Sequence, residues 1–148
     1  MKGAGTKEGV LIKIIGTRTP QELMQVKDSF QREYKNTLEK WVRGDISGNF
    51  RNLLVALLQC NRSMNPNVDP NQCEMDVQAL YKVGECRLVT DEPIFIRIFS
   101  QRSAAEMAII NDWYTRTRGK GLLKVVDKKF SGDIKQLEGI YRLSYILY

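Results

Sequence analysis

The chain has 148 residues, 43% hydrophobic and 27% charged, the proportions of an ordinary globular protein rather than of a disordered or fibrous one. Its densest apolar run, Leu53 to Leu58, ends at Gln59, well short of the roughly 18 residues a membrane-spanning helix needs. Lys and Arg number 23 against 17 Asp and Glu, a net +6, which favours anionic partners without choosing among phospholipid, nucleic acid and acidic protein.

In chain order, Val10, Leu11, Ile14 and Ile15 share one helical face, with Thr6 as expected N-cap and Gly16 near the stop. Pro20 suits the first turn of a second helix, whose Leu23, Val26, Lys27 and Phe30 recur at three and four residues as far as Tyr34. A short third helix over 38–42 is expected to break at Gly44. Ser47 is the expected cap of a fourth, with the strongest apolar stripe: Phe50, Leu53, Leu54, Leu57 and Leu58. The Asn- and Pro-rich stretch 63–70 reads as a linker, and 76–83 as a fifth helix carrying Val77, Leu80 and Tyr81.

The pattern then repeats. Thr6-Lys7-Glu8 matches Thr90-Asp91-Glu92, and Leu11 to Ile15 matches Phe95 to Phe99, an offset of 84 residues. The same offset joins Thr17-Arg18-Thr19 to Gln101-Arg102-Ser103, Glu22 to Glu106, Phe30 to Tyr114 and Ser47-Gly48 to Ser131-Gly132. The expectation is therefore an all-α fold of two tandem repeats of four to five short helices. The first copy is drawn at 1–83 and the second at 84–148, lacking its last helix, as in a piece of something longer.

No His is present, and Cys60, Cys73 and Cys86 lack a CxxC spacing, which leaves no zinc site of the usual type and points to reduced thiols in a cytoplasmic protein. The opening Met1-Lys2-Gly3-Ala4-Gly5-Thr6 has no preceding strand and misses the GxGxxG spacing, so it fails as a nucleotide loop and, taken alone, reads as a structural turn. It pairs, however, with Gly44-Asp45-Ile46-Ser47-Gly48, a second junction that an antiparallel bundle brings to the same end. Carbonyls at Met1, Gly3 and Gly5, with two carboxylate oxygens from Asp45, form a ligand set typical of a hard cation such as Ca2+. An EF-hand read from Asp45 fails, with Phe50 where Gly is needed and Ala56 where the bidentate Glu belongs.

Met-Lys-Gly-Ala-Gly-Thr, Thr17-Arg18-Thr19-Pro20-Gln21-Glu22-Leu23, Gly44-Asp45-Ile46-Ser47-Gly48, the run from Leu54 to Arg62 and Asp76-Val77-Gln78-Ala79-Leu80-Tyr81 together resemble the annexin family over nearly the whole chain. Their order resembles the second and third of an annexin core's four repeats. The resemblance implies a calcium site from the carbonyls of Met1, Gly3 and Gly5 and the Asp45 carboxylate, on the face that meets acidic phospholipid, in a cytoplasmic protein peripheral at membranes. Lys7 departs from the family's usual acidic residue, outside that ligand set. Lys2 either meets a lipid phosphate or is simply solvated.

The second copy departs further: its loop, Gly84 to Thr90, has Val89 in place of the second Gly, and the residue 84 beyond Asp45 is Lys129. An ammonium there opposes a divalent ion, so no second calcium site is expected. Lys128 and Lys129 are left as solvated cations or as contacts to anionic lipid. No enzyme is expected, since GxSxG and Walker motifs and His are all absent. Nor is a nucleic-acid module, since the cations are spread through both copies. A scaffold of the same family, binding cytoskeletal or other proteins, stays open beside the lipid reading.

Overall fold

A computed structural model describes residues 5–84, 92–119, 121, 122 and 124. Seven helices follow one another: α1 (Gly5–Thr17), α2 (Pro20–Tyr34), α3 (Leu38–Asp45), α4 (Gly48–Leu57), α5 (Pro70–Gly84), α6 (Glu92–Gln101) and α7 (Ala104–Arg118). No strand occurs among the described residues, as the periodicity predicts.

The helix starts follow local chemistry. Thr19 caps α2: its hydroxyl accepts from the Glu22 N–H at 3.2 Å, while the Glu22 carboxylate accepts from the Thr19 N–H at 3.1 Å, ahead of Pro20 in the first turn. The Thr19 backbone N–H first, and then the Thr19 side chain, hold the Glu22 carboxyl below its ordinary value. At the 84-residue offset, Ser103 and Glu106 form the same reciprocal pair at 3.1 and 3.0 Å and start α7. Both helices end on a left-handed residue, Lys35 at φ 51° and Gly119 at φ 77°.

Several expected boundaries move. α1 begins at Gly5, so Thr6 lies inside it, and it continues past Gly16 to Thr17, whose hydroxyl donates to the Lys13 carbonyl at 2.7 Å. Gly44 does not break α3, which runs on to Asp45, because one Gly costs a helix only about 1 kcal/mol. Ser47 sits at the N-cap of α4 but makes no side-chain cap bond; the turn instead uses Gly48 at φ 70°. α5 starts six residues before the expected 76, at Pro70, since the Asp69 carboxylate caps the N–H groups of Asn71 and Gln72 at 3.0 and 3.4 Å.

Much of the expected apolar stripes forms one core, in which Leu38, Val42, Leu54, Leu58, Leu80, Phe95, Ile98, Ile110 and Tyr114 are each 0% exposed, although Val10 of the first stripe is 52% exposed. α1 and α3 pack on α4, α2 on α3, and α4 on α6. The sequence reading grouped the fifth helix with the first copy, but α5 packs on α6 and α7. Its anchor is Asp76, 2% exposed, whose Oδ2 accepts from Arg102 Nε at 2.6 Å and whose Oδ1 accepts from Arg102 Nη2 and Gln72 Nε2, both at 3.1 Å. These bonds to Asp76 raise the Arg102 guanidinium above its ordinary value. Farther along, the Arg118 guanidinium lies 3.5 Å over the Tyr81 ring. The linker joins the same corner: Arg62 donates to the Arg102 and Phe99 carbonyls at 2.7 and 2.8 Å, and the Ser63 N–H to the Gln101 carbonyl at 2.8 Å.

Removing one partner of a buried pair strands the other charge. Arg102→Ala is expected to destabilise the chain by about 3–5 kcal/mol, read by chemical denaturation. Arg116→Ala, which opens an exposed pair to Asp112 at 3.2 Å, is expected to change it by under about 0.5 kcal/mol.

Candidate metal centre

Of the residues the sequence singles out, Gly5 and Asp45 fall in the described part; Met1, Lys2, Gly3, Lys128 and Lys129 lie outside it. Gly5 opens α1. Its carbonyl, as the first of a helix, points down the axis toward the N–H four residues on and keeps one lone pair for another partner.

Asp45 closes α3, and the chain leaves it through Ile46 in extended conformation at φ −125°, ψ 145°. Thr37 starts that helix, its hydroxyl accepting from the Lys40 N–H at 3.2 Å. Three buried side chains, Leu38, Trp41 and Val42, fix its inner face. The Lys27 ammonium clamps the outer side, 2.6 Å from Glu39 Oε1 and 2.8 Å from the Leu58 carbonyl, so α2, α3 and the end of α4 meet on one cation. The backbone carrying Asp45 is thus held from three directions.

The Asp45 carboxylate is in an unfavourable place for a lone anion. Its Oδ2 is buried and has no hydrogen-bond partner, and it stands at a helix C-terminus, where the macrodipole already concentrates negative charge. A cation at this point would give Oδ2 a partner and meet the negative end of the helix. Arg51, near the start of α4, also has a buried Nε without a partner, yet among the described residues no ion pair joins it to Asp45. The sequence reading passed over Arg51; its only signal is a cation within a strongly apolar helix.

Among the described residues, no cluster of three or more His, Cys, Asp or Glu offers a side-chain metal site. An ion at Asp45 must therefore complete its shell from carbonyl, water or ligand oxygens, a donor set that suits a hard cation and not a thiolate- or imidazole-seeking one.

The annexin family model matches residues 1–57 and 75–137. This chain belongs to the annexin family. It is 42% identical over 137 residues to annexin A5 of Macaca fascicularis and of Homo sapiens, a match covering 93% of the chain and 43% of each relative. Annexin A11 of Oryctolagus cuniculus is 39% identical over 136 residues, covering 92% of the chain and 27% of that protein. The chain therefore spans less than half the length of these annexins. Among solved structures, annexin III superposes with a TM-score of 0.87 at 32% identity over 97% of the chain and 45% of that protein. Chicken annexin V in complex with Zn2+ gives 0.82 at 38% over 97% and 46%.

Replacing the stranded carboxylate tests the electrostatics without any ligand. In chelator, Asp45→Asn is expected to stabilise the chain by about 0.5–1 kcal/mol, by removing an anion from a helix C-terminus. Thermal melts of the two proteins check it.

Proposed function

We propose that this annexin segment binds acidic phospholipid surfaces in a calcium-dependent manner, through one site formed by Asp45 and the carbonyls of Met1, Gly3 and Gly5. The observation that carries the reading is the buried, unpartnered Oδ2 of Asp45 at the end of α3. Family membership supports it. The described helices include none long and apolar enough to cross a membrane; in this reading the protein works in the cytoplasm, peripheral at membranes.

With one carboxylate and otherwise neutral ligands, the site binds calcium weakly by itself, on the order of 10⁻⁴ to 10⁻³ M. A headgroup phosphate entering an open coordination position adds both charge and an oxygen. Membrane and calcium then strengthen each other's binding by the same factor. Lys2, Lys128 and Lys129 add roughly 1 kcal/mol each on an anionic surface, a contribution that salt removes. The second copy, with Lys129 at the register of Asp45, holds no ion in this reading. We further place the boundary between the two units in the linker 61–69 and not at 83/84, because α5 packs on α6 and α7. Further repeats of a longer chain are the natural partners of both.

Sedimentation with phosphatidylserine vesicles tests the reading. Binding is expected in millimolar calcium, absent in chelator, and reduced at least tenfold by Asp45→Ala. Binding that ignores both chelator and Asp45→Ala rules the site out.

A further inference from the structure

Helices α5 and α7 meet in an open cleft of about 390 Å³, lined by Glu74, Val77 and Gln78 from the first and Trp113, Thr117 and Arg118 from the second. That size lies within the range of about 300–1,000 Å³ usual for small-ligand sites. Its apolar part is Val77, 5% exposed, and the half-buried Trp113, which packs against the core. Its polar part is unspent. The Arg118 guanidinium lies 3.5 Å over the Tyr81 ring, a stack that occupies one face of the plane and leaves the in-plane N–H groups to find acceptors. Among the described residues it finds none: no hydrogen bond or ion pair reaches Arg118, and its Nε is buried without a partner. The exposed Gln78 amide, on the facing helix, likewise makes no hydrogen bond among the described residues. The Thr117 hydroxyl, by contrast, donates to the Trp113 carbonyl at 2.7 Å. The repeat does not require this arrangement, since 84 residues earlier the first copy has Ser29, Glu33 and Tyr34 in place of Trp113, Thr117 and Arg118.

We propose that the cleft between α5 and α7 binds a small aromatic carboxylate, its ring against Trp113 and Val77 and its carboxylate on Arg118 and Gln78. An indole offers a ring an offset stack, and a guanidinium already held by Tyr81 accepts a carboxylate with little further ordering. Each half of the ligand is needed. An inorganic anion leaves Val77 and Trp113 uncovered, and a neutral ring leaves the guanidinium without an acceptor. Glu74 is exposed, so solvent and salt screen its repulsion of the bound anion. The proposal is independent of the calcium reading, because neither Asp45 nor the loop ahead of α1 lines the cleft.

The test titrates naphthoate into the full chain, in calcium and in chelator, and follows the indole N–H signals by NMR. The chain has two tryptophans, so Trp41 of α3 is the internal control. The expected result is a saturable shift at Trp113 with a Kd of about 1 mM or tighter, equal in calcium and chelator, and no shift at Trp41. The neutral analogue naphthamide is expected to bind at least about tenfold more weakly. Arg118→Met, which keeps most of the stem and removes the donors, is expected to weaken naphthoate binding at least about tenfold. Gln78→Glu, at an exposed position, sets an anion against the carboxylate and is expected to do the same should Arg118→Met disturb the fold. No saturable shift at Trp113, equal affinity for naphthamide, or affinity indifferent to both substitutions overturns the proposal. So does binding that requires calcium, since the ligand then sits on the ion.

Discussion

The bidentate pair between Arg102 and Asp76 is the constraint on which the packing of the second unit depends. It joins the middle of α5 to the corner between α6 and α7, with Gln72 also donating to Oδ1 and Arg62 and Ser63 tying the linker to carbonyls of the same corner. A pair this buried adds little net stability over an apolar substitute, because desolvation offsets most of the attraction. Its value is directional. A planar guanidinium accepts a carboxylate in few orientations, so α5 is fixed in rotation and register on α7 while Leu80, Ile110 and Tyr114 supply the burial energy.

At the metal centre the logic is reversed: the polar group there lacks a partner. Asp45 is carried by a helix whose inner side is apolar and whose outer side is clamped by Lys27 through Glu39. In the proposed reading, a carboxylate oxygen without a partner on a rigid support would lower the ordering cost of binding an ion.

Much of the architecture is legible in the residues because helix period, caps and the 84-residue repeat are local signals. Thr19-Pro20 with Glu22 marks the start of α2 unambiguously. Asp69-Pro70 carries an equally readable signal for α5, which the sequence reading absorbed into the linker because the stretch 63–70 is rich in Asn and Pro. What the chain cannot reveal locally is assignment across space. Periodicity says that α5 has an apolar face but not which helices it covers, and the repeat fits either grouping equally well. The same limit applies to the candidate site: residue types and spacing suggest a hard cation, while the burial of the Asp45 Oδ2 depends on neighbours brought in by folding.

The twin reciprocal caps, Thr19 with Glu22 and Ser103 with Glu106, have a kinetic consequence. Each 15-residue helix, α2 and α7, carries its own initiation signal within four residues, so helix formation has two independent starting points in the chain. The clasp from Asp76 to Arg102 closes a loop of only 26 residues in sequence separation, a modest entropic cost. Such a topology favours rapid assembly of each half before the halves meet along α4 and α6.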